Sequence, residues 1–327
     1  MRLFYITLVS FIALSSFVFA NTETENKSLT TLTVEVVNKT ENGTPVENDE
    51  VILQIFQYQQ LYSTLEGNTS ENGKAVFENV PAGAQFIALP RAKHKEMMFT
   101  GQAVKLDPTQ DKLDAQVEVF DVSTDKSKLS VQTHHLIIKA SPETKVLEIT
   151  ELMQIVNSSD MAISSNERDE QGNSIVLNIM LPKGFSNLQW SSYFEKNAIV
   201  VTKNGFYDVM AVPPGSYSAT FSYTLDVTSS TMDIVKKISL PTANFMIFAQ
   251  GSAELRSRSD ADKQTMNMNG VSMEYLKFTN LAPDEEISFQ VAGLKVDKHN
   301  WITWIVLTAV FVAMIIFAIV RSGTAKN

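Results

Sequence analysis

The chain of 327 residues contains no cysteine. A disulfide framework, a thioredoxin-like dithiol, a covalently attached c-type haem and a lipoprotein anchor each require a thiol, so all four are excluded. Histidine is scarce as well, at four residues. A catalytic triad needs a nucleophile, a base and an orienter. His94, His134, His135 and His299 stand in no Gly-x-Ser-x-Gly, His-Glu-x-x-His, phosphate-loop or Ser-x-x-Lys context. Glu148 and Glu151 are not set apart from the other carboxylates as a glycosidase pair. Helical periodicity is also missing before residue 301. These absences predict a chain that is not an enzyme and carries no cofactor.

Two stretches lack charge almost completely. Met1 to Ala20 has a short basic start at Arg2, an apolar run through Phe19 and a small residue, Ala20, before Asn21. Those are the parts of a secretory signal peptide. Val18 is larger than the usual residue at its position, which keeps an uncleaved anchor as the alternative. Trp301 to Val320 carries no charged side chain. At about 1.5 Å rise per residue it matches the roughly 30 Å hydrocarbon core of a bilayer. Trp301 and Trp304 fit the outer interface, and Arg321 and Lys326 follow the run. The export signal sets the expected orientation: residues 21–300 outside, with a cytoplasmic tail at 321–327.

The formal charge is −9. Without Arg2, Arg321 and Lys326 the region between the apolar ends holds 24 basic against 36 acidic residues, a charge of −12. Such a surface repels nucleic acid and anionic headgroups. A secreted eukaryotic ectodomain of this size usually carries disulfides, so the expected setting is a bacterial cell envelope, single-pass, with the ectodomain periplasmic or extracellular. In that setting the sequons at Asn26, Asn38, Asn42, Asn68 and Asn157 are incidental.

Between the ends the dominant pattern is period two. Leu32, Val34 and Val36 alternate with Thr33 and Glu35, as on a half-buried strand. Asn-Gly occurs at Asn42, Asn72, Asn204 and Asn269, and this pair favours the positive φ values of a tight hairpin. The prediction is an all-β chain. Residues 21–28 form a polar leader, 29–121 a first sandwich, and 128–294 a larger second β region, either one enlarged sandwich or two small ones. Strands are expected near 31–38, 50–58, 74–79, 84–90, 97–106 and 114–120 in the first region. In the second they are expected near 129–139, 146–156, 174–181, 198–203, 206–212, 217–226, 232–239, 245–250, 272–279 and 286–293. The polar stretches Ser158–Asn173 and Arg256–Asn269 read as exposed loops.

Val34-Glu35-Val36-Val37-Asn38, the turn through Gly43, Pro45-Val46 and the apolar run from Val51 resemble the opening of a carboxypeptidase regulatory-like domain. Thr69-Ser70-Glu71-Asn72-Gly73-Lys74-Ala75-Val76-Phe77-Glu78-Asn79-Val80-Pro81-Ala82-Gly83 is similar to that family's most recognisable stretch. The resemblance covers about ninety residues and implies a seven-stranded, transthyretin-like sandwich that serves as a non-catalytic module. Nothing matches the zinc site of a carboxypeptidase. Physically, Gly73 closes a hairpin, Pro81 ends a strand and Gly83 turns the chain. Asn204, Gly205, Pro213 and Gly215 repeat the spacing of Asn72, Gly73, Pro81 and Gly83, which reads as a second copy of the same turn pattern. The second region is similar, more weakly, to the Ig-like regions that accompany such modules in membrane-anchored bacterial proteins.

Metal binding is the sharpest alternative. His94, Met97 and Met98, and Met266, Met268 and Met273, place soft donors at short spacing, as a thiol-free copper site would. The competing reading is that methionines fill irregular core gaps. His134 and His135 are neighbours on one strand and point to opposite faces. The acidic runs at 47–50, 167–170 and 284–286 lack the spacing of a calcium loop. The whole pattern predicts two tandem Ig/transthyretin-like β-sandwich units followed by one C-terminal transmembrane helix, acting as a binding or scaffold protein on an envelope partner. Copper or cofactor delivery to a respiratory or cytochrome assembly is the first alternative, and an adhesin or glycan-binding role the second.

Overall fold

A computed structural model describes residues 28–140, 145–259, 261–268 and 271–295. The leader Met1 to Ala20 and the run Trp301 to Val320 lie outside them, as do Trp304 and Arg321. Among the described residues no helix is long and apolar enough to cross a membrane. The described residues are all-β: 23 strands and two short 3-10 turns at Lys126–Lys128 and Lys196–Ala198. They divide into two compact units. Of the described residues, the first holds 28–36, 47–92 and 100–117; the second holds 37–46, 93–99 and those from 118 onward. Segments 37–46 and 93–99, which the sequence places with the first sandwich, therefore group with the second unit.

Across residues 28–119 the chain forms β1 (Ser28–Asn38), β2 (Glu50–Gln57), β3 (Gln60–Asn68), β4 (Lys74–Ala82), β5 (Phe86–His94), β6 (Met97–Thr100), β7 (Val104–Lys105) and β8 (Lys112–Val119). One sheet has the order β4-β1-β8, the other β3-β2-β5-β6, with β7 also pairing β5. Alternation decides which side chains go in: Leu32, Val34 and Val36, Val51, Leu53 and Ile55, and Phe77 are buried. Gly73 takes φ 71 ahead of β4, a value that suits glycine. Pro81 does not end its strand, because β4 runs on to Ala82. It lies at a sheet edge, where a missing N–H is tolerated. The expected strand at 97–106 is broken in two, β6 and β7.

The second unit contains β9 (Val122–Ser123), β10 (Leu129–Ala140), β11 (Val146–Asn157), β12 (Ala162–Ile163), β13 (Leu177–Met180), β14 (Phe185–Ser192), β15 (Ile199–Thr202) and β16 (Gly205–Asp208). It continues with β17 (Gly215–Asp226), β18 (Met232–Lys237), β19 (Thr242–Gly251), β20 (Glu254–Ser257), β21 (Asp262–Met268), β22 (Val271–Leu281) and β23 (Glu286–Ala292). Seven strands form one sheet, β14-β17-β11-β10-β19-β22-β21, in which β10 and β19 are parallel. Two three-stranded sheets, β13-β16-β15 and β18-β23-β20, cover one face of it. Residues of all three sheets, among them Ile149, Phe221, Phe206, Ile234 and Phe289, share a single apolar core. One enlarged layered unit is therefore present, and the polar stretch 256–269 is not a loop: β20 and β21 occupy most of it.

The two Asn-Gly stretches fold differently despite their equal spacing. From Gly73 the chain makes one nine-residue strand. From Gly205 it makes the four-residue β16, then an isolated bridge between Val212 and Ile163, and Gly215 opens β17 rather than closing a strand.

Candidate functional site

Inner-face positions of β11 are Leu147, Ile149, Glu151, Met153 and Ile155. A glutamate thus interrupts an apolar stripe on a central strand. His134 does the same on β10, and Lys236 on β18 between Ile234 and Ile238. The fold gathers these three with Tyr223 of β17. Exposures are 0% for Glu151, 1% for Lys236, 3% for His134 and 1% for Tyr223. Lys236 Nζ lies 2.9 Å from Glu151 Oε1 and 2.8 Å from Oε2. His134 Nε2 is 2.7 Å from Oε2, and Tyr223 Oη donates to Oε1 at 2.8 Å. A further Lys236 proton goes to the Met180 carbonyl at 2.9 Å.

Burial by itself raises a carboxyl pKa, but here the Lys236 ammonium and the His134 hydrogen bond outweigh it and hold Glu151 well below the usual carboxylate range. Burial pushes His134 down, against the pull of Glu151, so the imidazole is neutral and its Nε2–H donates. Burial and the neighbouring carboxylate push Tyr223 up. Every proton in the group has an acceptor, and the side chains are sealed from solvent. The arrangement ties the seven-stranded sheet to β18 and β13. It is a core polar network, not an exposed acid–base pair. Glu148, three residues from Glu151, faces outward and pairs with Lys139 at 3.1 Å.

A second polar cluster surrounds Asp121. Its carboxylate accepts from Thr44 Oγ1 (2.6 Å), Thr44 N (3.1 Å), Asn38 Nδ2 (3.1 Å) and His94 Nε2 (3.0 Å). Burial raises its pKa, and these donors outweigh burial to bring it to about 2. Thr44, His94 and Asp121 are residue types of a triad, yet the geometry is wrong for one. The same ring nitrogen, Nε2, faces both Thr44 Oγ1 (3.1 Å) and Asp121, whereas a relay uses opposite nitrogens. The cluster closes the 37–46 loop, and Glu41 N and Thr40 Oγ1 extend it to Asp160.

Sequence singled out His94 as a copper donor; the structure engages its Nε2 with Asp121 and Thr44. Met97 and Met98 are adjacent on β6 and half-buried. Met266 stands opposite Met273 in the β21–β22 register, and Met268 opposite Val271. Among the described residues no group of three His, Asp or Glu side chains is placed to hold a metal ion. The amides of Asn38 and Asn157 donate inward, to Thr44 O and to Val212 O, while Asn42 and Asn68 are exposed. Among the described residues the buried carboxylates are Glu151 and Asp208; Asp208, at the end of β16, has no lysine or arginine against it, and burial, with Glu195 nearby, raises it to about 6 although it accepts the Met210 N–H at 2.9 Å.

The outer face of the seven-stranded sheet is uncovered by the two smaller sheets. Across its middle run Leu152, His135 and Met246 in one register row and Ile137, Phe248 and Tyr275 in the next. His135 and Phe248 meet edge to face at 5.4 Å, and Phe248 stacks on Tyr275 at 5.2 Å. Hydroxyl-bearing residues of β17, Ser218, Thr220, Ser222 and Thr224, flank this strip.

No family model matches the chain, and no curated protein matches it. Solved structures overlap it in part. An M1 zinc metallopeptidase from Deinococcus radiodurans is 13% identical, covering 50% of this chain and 42% of its own length at a TM-score of 0.29. A two-domain M1 zinc metallopeptidase bound to L-tryptophan is 14% identical, covering 50% of this chain and 43% of its own, also at 0.29. The chain thus spans less than half the length of these structures.

Proposed function

We propose that the protein is a non-enzymatic binding or scaffold protein of a bacterial cell envelope, exported through Met1 to Ala20, held by a transmembrane helix at Trp301 to Val320, and acting on an envelope partner through two tandem Ig/transthyretin-like sandwich units. The single observation that carries the binding reading is the open face of the seven-stranded sheet. Large sheets generally cover both faces or make the open one polar, and here an apolar strip through Leu152, Ile137 and Tyr275 lies in the middle of a solvent-facing layer. The carboxylates that would serve catalysis, Glu151 and Asp121, are instead spent on internal hydrogen bonds. The sequence of the first unit supports a carboxypeptidase regulatory-like module.

The test uses the full-length protein in its own membrane. A photo-reactive side chain at Leu152 is expected to trap one discrete partner, and the same group at Asn173, in an exposed loop, to trap none. Equal capture at both positions, or none at either, removes the reading. Deleting 301–327 is expected to move the protein from the membrane pellet to the soluble exported fraction; a full-length protein that is soluble without detergent overturns the anchor.

A further inference from the structure

Strand β18 is the free edge of its sheet, β18-β23-β20. The direction of its backbone groups follows from Ile238, which continues the β18–β23 register: its N–H donates to Glu285 O at 2.9 Å, and its carbonyl accepts from Asp284 N at 2.8 Å. Even-numbered residues therefore face β23. In an antiparallel ladder the alternate residues turn the other way, so Asp233, Val235 and Lys237 direct their N–H and C=O groups outward. Those three residues line a cleft of about 380 Å³, whose apolar wall includes Leu181, Leu225 and Met232. Val235 is 45% exposed there.

On its other side the cleft is fixed in place. Met180, the last residue of β13, receives Lys236 Nζ on its carbonyl and gives its own N–H to Ser239 Oγ at 3.3 Å. The buried Glu151 network thus pins the cleft wall from behind. β18 has no proline, and each of its charges is already paired: Asp233 with Arg258 (3.2 Å), Lys237 with Asp284 (2.8 Å) and the inward Lys236 with Glu151 (2.8 Å), so none of them is left uncompensated at the edge. Lys183 at the rim is exposed and forms no ion pair among the described residues.

We infer that β18 is a docking edge for an extended peptide segment of another polypeptide, about five residues long, which adds a fourth strand to the sheet and places alternate apolar side chains on the Leu181, Leu225 and Met232 wall, with a carboxylate toward Lys183. This rests on the binding reading above and names its partner's chemistry. Chain length argues for a partner at the membrane surface. Leu294 hydrogen-bonds next to the start of β18, and only 296–300 separate the described chain from Trp301, at most about 22 Å from residue 295 when extended. Main-chain bonding supplies the affinity of such strand addition, and the alternate side-chain contacts supply the selectivity.

The probe is an N-acetylated Val-Thr-Val-Thr-Val peptide with a free C-terminal carboxylate, titrated into the full-length protein in nanodiscs with empty nanodiscs as the blank. Saturable binding below about 1 mM is expected, weakened tenfold or more by N-methylating alternate amides of the peptide. Val235→Pro removes an outward N–H that the fold does not use, so it should abolish binding at unchanged melting temperature. Lys183→Gln should weaken the free-acid peptide several-fold and leave its C-terminal amide unaffected. No saturable binding, or equal binding by the N-methylated peptide, overturns the inference whether or not Val235→Pro folds. A doubled mass in solution that Val235→Pro abolishes would give the edge to a second copy and overturn it too. Partner capture at Leu152 with no peptide binding sinks this inference alone and leaves the wider reading standing.

Discussion

A charge placed on an inward strand position must find a partner or unfold its surroundings. Glu151 and Lys236 solve this for each other, with His134 and Tyr223 completing the carboxylate's hydrogen bonds. Removing one member leaves the other buried and uncompensated, which costs about 3–5 kcal/mol. Lys236→Met should therefore lower unfolding stability in urea by about that much, and the double variant Lys236→Met with Glu151→Leu should recover most of it. A double variant no better than the single one would mean that the network does more than satisfy its own charges. Asp121→Ala strands the Thr44, Asn38 and His94 donors at once, and a loss of about 2–3 kcal/mol is expected, measured by the same unfolding curves. These residues were readable in principle: Glu151 and Lys236 are opposite charges, each breaking a period-two apolar stripe. The stripes alone do not say that they meet.

At the scale of strands, prediction from alternation finds every interior strand, and its misses fall at sheet rims. Central β10, β11, β17 and β19 alternate cleanly because one face of each is buried. The strands the pattern misses are β3, β14, β20, β21 and the two-residue β9 and β12; each is a terminal strand of its sheet, although the terminal strands β4, β8, β13, β15 and β18 are found. An edge strand buries less, so β3 and β14 carry Gln, Ser, Thr and Asn where a central strand would carry valine or isoleucine. Turn chemistry misled in a related way. Equal spacing of Gly73 to Pro81 and Gly205 to Pro213 does not encode equal structure, because Gly205 serves a close approach. A Cβ on it would lie 2.0 Å from the Ile179 carbonyl oxygen, whereas one on Gly172 would meet nothing within 4 Å. Gly205→Ala should accordingly destabilise the protein by about 2–4 kcal/mol through clash and an unfavourable φ. Gly172→Ala, at φ 88, should be limited to about 1 kcal/mol of backbone strain. Thermal unfolding of the two variants checks the order.

For the whole molecule, acid stability is a contest between groups shifted in opposite directions. His134 has its pKa lowered from 6.5 by burial, so the unfolded chain binds its proton first and stability falls as pH drops below 6.5. Asp208 is raised from 3.8 to about 6, so the folded chain binds first and stability rises as pH drops from about 6 toward 3.8. Each slope is at most about 1.4 kcal/mol per pH unit. The two oppose each other between pH 6 and 4, which predicts a shallow profile there. Asp208→Asn should expose a clear loss on acidification, and His134→Phe a gain; unfolding free energies at pH 7, 6 and 5 decide it. From the unfolded values of 4.5 and 3.8 down to about 2, the depressed pKa values of Glu151 and Asp121 add a further loss as both protonate.

Sequence by itself determined the thiol-free chemistry, the acidic balance, the all-β class and the positions of most interior strands, because composition and a two-residue period are local properties of a chain. It also supplied the two apolar ends on which the envelope reading rests. Only the tertiary structure decided that the second region is one enlarged unit, that Glu151 and Lys236 are partners 85 residues apart, and that Asp233, Val235 and Lys237 are an open edge. Pairing between distant strands depends on which backbone groups are left unsatisfied once every other strand has found its neighbour, and no local pattern carries that information.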